Sequence, residues 1–268
     1  MSVGARAGSL PHGDDRAKLA AMGTPQSDAP QIDVRERGAE RDGQRQTMDR
    51  RLFMQLLVFD ATGQLGASEA TRNLTAALER RRAAAVLYAD VNNPAGLGLL
   101  TWSEDPGDFV SRVRPVFAEQ EIRGLRLRHE LTMLGRTYST GYEPDLEHWL
   151  LERPRQTALN EAWPWAVWYP LRRSGRFAQL PPEEQRVILA EHGTIGMSYG
   201  AGDYAHDIRL ACYGLDKNDN DFVIGLLGKE LFPLSHIVQA MRKTQQTSLY
   251  LDRLGPFFVG RAVWQSPL

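Results

Sequence analysis

The stretch 168–199, WYPLRRSGRFAQLPPEEQRVILAEHGTIGMSY, decides the fold of this chain. It begins with apolar and aromatic residues typical of a buried strand and continues through a basic segment. A helix then starts at Pro182, since proline is favoured at the first helical position. His192 stands in the last turn of the predicted helix, and Gly193 after it is a typical helix stop. The stretch therefore predicts a strand, a basic loop and a helix that carries one histidine.

Strand and helix signals alternate on both sides of this stretch. In the second half, strands are predicted at 165–171, 207–213, 222–227 and 257–263, and helices at 182–192 and 234–247. In the first half, extended segments are predicted at 52–59, 85–88, 97–102 and 133–142, and helices at 68–82 and 105–117. Both halves have the order βαββαβ. The sequence therefore predicts an α+β protein in which two fused ferredoxin-like halves form one domain of the dimeric α/β-barrel type.

Composition divides the chain into three segments. Residues 1–48 are rich in Gly, Ala, Asp, Arg, Gln and Pro and contain almost no aromatic or branched residues. Such a segment cannot bury enough apolar surface to offset the cost of ordering it, which predicts a disordered N-terminal tail. The two ferredoxin-like halves are then expected at 49–158 and 159–268.

The totals exclude several classes of protein. A formal net charge of −1 gives no overall positive field for a nucleic acid. The single cysteine, Cys212, excludes an internal disulfide and a multi-cysteine zinc site. No apolar run reaches the length of a membrane span, and the first 30 residues lack the apolar core of a signal peptide. We therefore predict a cytoplasmic protein with no membrane span.

The histidine near the end of the predicted helix has two interpretations. His192 could simply help to end the helix, where a cationic side chain favours the helix dipole. A lone histidine is poor support for zinc or non-haem iron, since these need further ligands at suitable spacing. A haem iron needs only one protein histidine, because the porphyrin supplies four donors. The residues alone leave both interpretations open.

The residues before the helix are open to similar alternatives. Tyr169 could be a core tyrosine, and the basic run of Arg172, Arg173 and Arg176 could be a solvated loop. Arginines beside an aromatic wall also suit a ligand with carboxylates, because the guanidinium pairs with them bidentately. On the predicted strand 207–213, Asp207 and Arg209 share one face because side chains alternate along a strand.

Several motifs in order resemble one family. They are Tyr169-Pro170 followed by basic residues, the helix start LPPEE at 180–184, His192-Gly193 with Ile195-Gly196 and Tyr199, GLD at 214–216, Ile237-Val238 with Met241-Arg242, and GPFFVG at 255–260. Together they cover roughly the C-terminal 100 residues, which is more specific than any one motif. The chain resembles the chlorite dismutase-like haem family, and within it most closely the coproheme decarboxylases. The resemblance implies two fused ferredoxin-like halves, a homopentamer, and one haem in each C-terminal half.

The resemblance also implies roles for individual residues. His192 falls at the position of the proximal iron ligand, and Tyr169 matches the tyrosine that carries a radical to a substrate propionate. Basic and hydroxyl residues fall near positions that bind the propionates: Arg155, Arg172, Arg242 and Thr247 or Ser248. The residue on the distal side of the iron is Asp207 or Arg209, depending on which strand anchors the alignment.

The activity implied is that of a peroxide-dependent coproheme decarboxylase of haem b biosynthesis. Coproheme III would be substrate and cofactor together, with its iron on His192 and hydrogen peroxide as the oxidant. One alternative is a chlorite dismutase that holds haem b, splits chlorite to chloride and dioxygen, and needs Arg209 over the iron. Another is a haem-binding relative without turnover. Tyr169 favours the decarboxylase.

Overall fold

The computed structural model describes residues 32–63 and 65–267. Chain contacts divide the protein into two compact units, of which Arg35–Leu268 contains both predicted halves. The fold described below is that of this second unit. None of the helices in the described part of the chain is long and apolar enough to cross a membrane.

The first half consists mainly of strands, with one long helix. In chain order its elements are β1 (Glu36–Arg41), β2 (Gln44–Met48), β3 (Phe53–Ala61), α1 (Ala67–Arg80), β4 (Ala85–Asp90), β5 (Gly96–Ser103), β6 (Leu125–Leu127) and β7 (Met133–Thr137). Short helical turns occupy Phe109–Val113, Arg114–Ala118, Gln120–Ile122 and His129–Leu131. The first two replace the continuous helix that the sequence predicted over 105–117. Pro115 and the tight turns around it break that helix.

The second half contains most of the helices and completes the sheet. After a π-helical turn at His148–Glu152 come α2 (Arg153–Ala158), β8 (Trp165–Arg173), α3 (Gly175–Ala178), α4 (Pro182–Ala201), β9 (His206–Ala211), β10 (Phe222–Gly228), α5 (Leu231–Met241), α6 (Gln245–Tyr250), β11 (Leu251–Leu254) and β12 (Phe258–Gln265). The predicted α+β class is confirmed.

Eight strands close into an antiparallel barrel. The ring runs β3, β5, β4, β12, β8, β10, β9, β7 and back to β3, so the two halves meet at β4–β12 and at β7–β9. Closure removes the free sheet edges that each half alone would expose. One continuous apolar cluster, which includes Tyr88, Trp168 and Phe258, draws side chains from all eight strands and fills the interior.

The outer face of each half is covered by helices. Leu74 and Leu78 of α1 pack on the first half, against strands β4 and β5. On the second half, Leu234 and Ile237 of α5 pack against the face of β8 and β10 that carries Tyr169. Since side chains alternate along β8, Trp168 points into the barrel and Tyr169 points outward, between the sheet and the helices.

The predicted disorder of the tail is wrong for residues 36–48, which form the hairpin β1–β2. Polar contacts hold it: the carboxylate of Glu36 pairs with Arg136 at 2.7 Å, and the Gln46 amide donates to the Pro144 carbonyl at 3.0 Å. Composition misses such a hairpin because hydrogen bonds, not apolar burial, fix it. Residues 1–31 of the predicted tail lie outside the described residues.

The predicted helix stop at Gly193 is also wrong, since α4 continues to Ala201. A glycine inside a helix costs only about 1 kcal/mol relative to alanine. Packing of Ile195 and Tyr199 against the core of the second half outweighs that cost. His192 therefore lies in the middle of a 20-residue helix. The predicted helix 234–247 is likewise divided into α5 and α6, because Thr244 caps the start of α6.

Candidate functional site

The site lies on the outer face of the second half, where three strands align two functional side chains. Ile224 of β10 pairs with Tyr169 on β8 and with Arg209 on β9. Residues directly opposite each other in a sheet point to the same side. Tyr169 and Arg209 therefore face the same space, two strand spacings or about 9.5 Å apart.

His192 reaches this region from α4. Its Nδ1 lies 3.4 Å from Oγ1 of Thr244, and that hydroxyl donates its own proton to the Met241 carbonyl at 2.8 Å. With the hydroxyl proton on the Met241 carbonyl, the ring donates at Nδ1 and keeps a lone pair on Nε2. Such an outer contact commonly orients a metal-binding histidine.

The protonation state of His192 also suits a ligand role. Burial is the main cause that lowers the pKa of the imidazole to about 4; the positive charges of Arg173 and Arg209 act in the same direction, while Glu191 opposes them. The ring is therefore neutral at pH 7, as coordination of a metal requires. The same effect shows that both guanidinium groups lie within electrostatic range of His192.

The structure brings Arg173, not the expected Arg172, to the Tyr169 side of β8. The guanidinium of Arg173 stacks over the rings of Phe177 and Phe222 at 4.8 and 4.7 Å. Its Nε is buried and has no hydrogen-bond partner among residues 32–63 and 65–267. Arg172 is exposed on the other side of the strand, where it pairs with Asp219 at 2.6 Å. Strand alternation explains the difference.

Asp207 and Arg209, the two candidates for the distal position, lie side by side on β9. The Nε of Arg209 is 2.9 Å from one carboxylate oxygen of Asp207, and Nη2 of Arg153 is 2.6 Å from the other. Burial opposes ionisation of Asp207, but the charges of Arg209 and Arg153 outweigh it and lower the pKa of the carboxyl. Asp207 is therefore an anion between two guanidinium groups.

Arg155 lies apart from this group. Its guanidinium pairs with Glu104, which follows β5, at 2.9 Å and lines a separate surface depression of about 480 Å³. Arg153 is the arginine of α2 that reaches Asp207. Residues two apart on a helix point about 200° away from each other, so only one of the pair can face β9. Sequence matching alone could not predict which of these two arginines of α2 faces β9.

Two further expected residues lie on the helices that follow α4. Thr247 of α6 is half-buried, with its hydroxyl 3.3 Å from that of Thr244, and so is one contact away from His192. Arg242 follows the last residue of α5 and is exposed at the helix end. In the described part of the chain, its guanidinium makes no hydrogen bond or ion pair.

Two tyrosines border the group, one of which sequence reasoning missed. Burial raises the pKa of Tyr169, and the charge of Asp207 raises it further. Tyr138 comes from the first half, just after β7, and its ring lies 5.5 Å from that of Phe222. Burial raises the pKa of Tyr138 too, against the opposing charges of Arg209 and Arg173. No motif marks Tyr138, because β7–β9 pairing alone brings it here.

The donor set determines which metal group could bind. Across residues 32–63 and 65–267, no three His, Cys, Asp or Glu side chains are grouped so as to hold a bare metal ion. A single neutral imidazole can still serve as the axial ligand of a metal that brings its own in-plane donors. The apolar wall around Tyr169 suits an apolar ligand that carries carboxylates, since the Nε of Arg173 at its end has no hydrogen-bond partner in the described part of the chain.

Comparisons with known proteins give the family and the fold of this chain. A family model described as chlorite dismutase matches residues 67–263. A heme-binding protein from Thermus thermophilus has a similar structure, with 17% identity, a TM-score of 0.65, and coverage of 81% of this chain and 92% of that chain. A mutant chlorite dismutase from Candidatus Nitrospira defluvii, in complex with cyanide, has 15% identity, a TM-score of 0.63, and coverage of 82% and 92%. A comparison with curated protein sequences found no match.

Proposed function

This chain belongs to the chlorite dismutase family, and on that premise we propose that it is a haem-dependent coproheme decarboxylase. It would use hydrogen peroxide to convert coproheme propionates to vinyl groups in haem b biosynthesis. One observation carries the choice: a buried, protonated tyrosine, Tyr169, faces the same space as His192 and the arginines. A phenol in that place can exchange hydrogen with a substrate carbon, whereas chlorite chemistry does not require it.

The overall change balances with one peroxide for each propionate. The side chain –CH2–CH2–COO⁻, hydrogen peroxide and one proton give –CH=CH2, carbon dioxide and two water molecules. The propionate loses two electrons and the peroxide gains them. When bound, the coproheme iron supplies the redox chemistry that passes these electrons to peroxide.

His192 would hold the iron through Nε2. The hydroxyl of Thr244 would accept from Nδ1 and so favour the tautomer that leaves Nε2 free. The lowered pKa keeps this nitrogen unprotonated at neutral pH. Both properties belong to the chain itself and do not depend on the ligand.

Tyr169 would act on the propionate. Its raised pKa keeps Oη protonated. The phenol can therefore lose its hydrogen atom and then take one from the propionate carbon that is attached to the porphyrin ring. The phenol ring of Tyr169 packs against the ring of Phe257, with the two centroids 4.7 Å apart. Removal of one more electron, which the oxidised cofactor would accept, and loss of the carboxyl group as carbon dioxide then leave the vinyl group.

The cations would bind the carboxylates. Arg173 provides a guanidinium with a buried, unpartnered Nε within the described residues, and Arg209 lies across Ile224 from Tyr169. Each can pair with a carboxylate in a charge-assisted hydrogen bond. Thr247 and Arg242 lie on the helices that border the same space and could add further contacts.

The placement of Arg209 also favours a second candidate, chlorite dismutase on haem b. A guanidinium on the open side of the iron would stabilise an anionic oxygen group during chlorite turnover. A haem-binding protein without turnover is a third candidate. Assembly as a homopentamer and a cytoplasmic location remain predictions.

The test uses the full chain with ferric coproheme. We expect a histidine-ligated visible spectrum that His192→Ala lacks, and stepwise loss of two carboxyl groups by mass spectrometry after peroxide is added. Coproheme that bleaches without decarboxylation, together with oxygen release from chlorite on haem b, would favour the dismutase. Binding without either reaction would leave the haem carrier.

A further inference from the structure

We infer that Arg153 and Asp207 are positioning residues that fix the guanidinium of Arg209 by its Nε and leave both of its Nη groups for an anion. The inference deepens the proposed function, on which it rests for the nature of that anion. The arrangement itself rests on contacts among Trp149, Arg153, Asp207 and Arg209.

Arg153 holds Asp207 at two points. Its Nη1 donates to the main-chain carbonyl of Asp207 at 2.8 Å, and its Nη2 donates to the carboxylate at 2.6 Å. A guanidinium that binds both backbone and side chain restricts the carboxylate to one orientation. Arg153 therefore acts on Arg209 through Asp207.

Asp207 in turn holds Arg209. The second carboxylate oxygen lies 2.9 Å from Nε of Arg209. Within the described ranges, neither Nη of Arg209 makes a hydrogen bond. The guanidinium is therefore tied on one edge only, and its other edge can bind an anion bidentately.

An aromatic ring supports the same arrangement. The guanidinium carbon of Arg153 lies 4.6 Å from the centroid of Trp149, and that of Arg209 lies 5.9 Å from it. Trp149 and Arg153 come from the segment that precedes β8, which the sequence assigns to the first half. One half thus positions a functional arginine of the other.

The charges exclude a simpler role for Asp207. The guanidinium groups of Arg153 and Arg209 flank the carboxylate of Asp207, so the three side chains together carry a net positive charge. The same two cations lower the pKa of Asp207. An anion at this place would weaken binding of a carboxylate or chlorite if it faced the ligand directly. Because Asp207 lies between Arg153 and Arg209, its negative charge is neutralised and does not repel the ligand. Its role is then to hold the guanidinium of Arg209 in place.

The first readout needs no porphyrin. In the full chain with ¹⁵N-labelled arginine, the Nε–H signal of Arg209, assigned by its loss in Arg209→Lys, reports hydrogen exchange. We expect Asp207→Asn and Arg153→Gln to accelerate that exchange roughly tenfold, the factor for loss of one charge-assisted contact. Arg155→Gln is the matched control, since this arginine of the same helix binds Glu104, and should change nothing. Unchanged exchange in both test variants would overturn the inference.

The second readout separates position from charge. Removing the negative charge in Asp207→Asn should strengthen azide binding to the haem-loaded protein if charge alone matters. If Asp207 positions Arg209, azide should bind more weakly in spite of the added positive charge, and Asp207→Glu should restore part of the affinity. Tighter binding in Asp207→Asn would overturn the inference. A chain that binds no porphyrin would contradict the proposed function, and the exchange measurement would still decide this one.

Discussion

Tyr169 and Arg209 lie on opposite sides of Ile224 in one row of the barrel, and both side chains point outward toward α4. A loop and two helices, α3 and α4, separate their strands in the chain, so no local pattern links the two residues. The pairing of β10 with both strands brings them together. This row places a phenol and a guanidinium on the face of the sheet against which α4, the helix of His192, packs.

We expect Tyr169→Phe to abolish conversion of propionates to vinyl groups and to leave coproheme binding within about twofold, because the change removes one hydroxyl and no charge. Product analysis by mass spectrometry measures this. Tyr88→Phe is the control, since Tyr88 is buried inside the barrel and not on the face of the sheet that carries Tyr169. Full turnover in Tyr169→Phe would exclude the proposed role.

We expect His192→Ala to lose the visible absorption of a histidine-ligated iron, and added imidazole to restore it in part. The reason is that this imidazole combines a free Nε2 with a position beside the arginines. His236→Ala serves as the control, because His236 lies on α5 and contacts the exposed hydroxyl of Tyr199. If both variants keep the wild-type spectrum, another residue binds the iron.

The ligand-free protein should lose stability as the pH falls from about 6.5 to about 4. The pKa of His192 is lowered to about 4 in the folded chain. The unfolded chain therefore takes up a proton in this window and the folded chain does not, which costs up to about 3 kcal/mol. Urea unfolding across this range measures the slope, and His192→Gln should reduce it. An equal slope in that variant would show that other groups cause it.

We expect Arg173→Gln to weaken coproheme binding by roughly tenfold or more, because it removes a charge-assisted contact to a carboxylate. Arg172→Gln removes the same charge from the opposite side of β8, where Arg172 pairs with Asp219, and should have little effect. Fluorescence quenching titrations give both dissociation constants. Equal losses would indicate a general charge effect and not a specific site.

Two glycine substitutions should change the free energy of unfolding in opposite directions. A Cβ at Gly225 would lie 2.6 Å from ring atoms of Trp168 in the barrel, so Gly225→Ala should cost about 1–3 kcal/mol. At Gly193 a Cβ would meet nothing within 4 Å, so Gly193→Ala should stabilise α4 by about 0.5–1 kcal/mol. Thermal unfolding of the ligand-free chain measures both. Destabilisation by Gly193→Ala would contradict a helix that continues through this position.

The sequence by itself determined the order of most strands and helices, because hydrophobic periodicity and turn residues are local signals. It also determined that Tyr169 and His192 belong to a strand and a helix of the second half, and strand alternation could have chosen Arg173 over Arg172. These features need no knowledge of distant parts of the chain.

Only the tertiary structure decided the rest. Barrel closure brings Tyr138 to the second half, the rotation of α2 turns Arg153 and not Arg155 toward Asp207, and packing carries α4 through Gly193. Each depends on contacts between residues far apart in the chain, whose free energy outweighs local preference. Asp207 and Arg209 could not be told apart on the sequence for the same reason: they share one strand face, and only the contact from Arg153 gives them different surroundings.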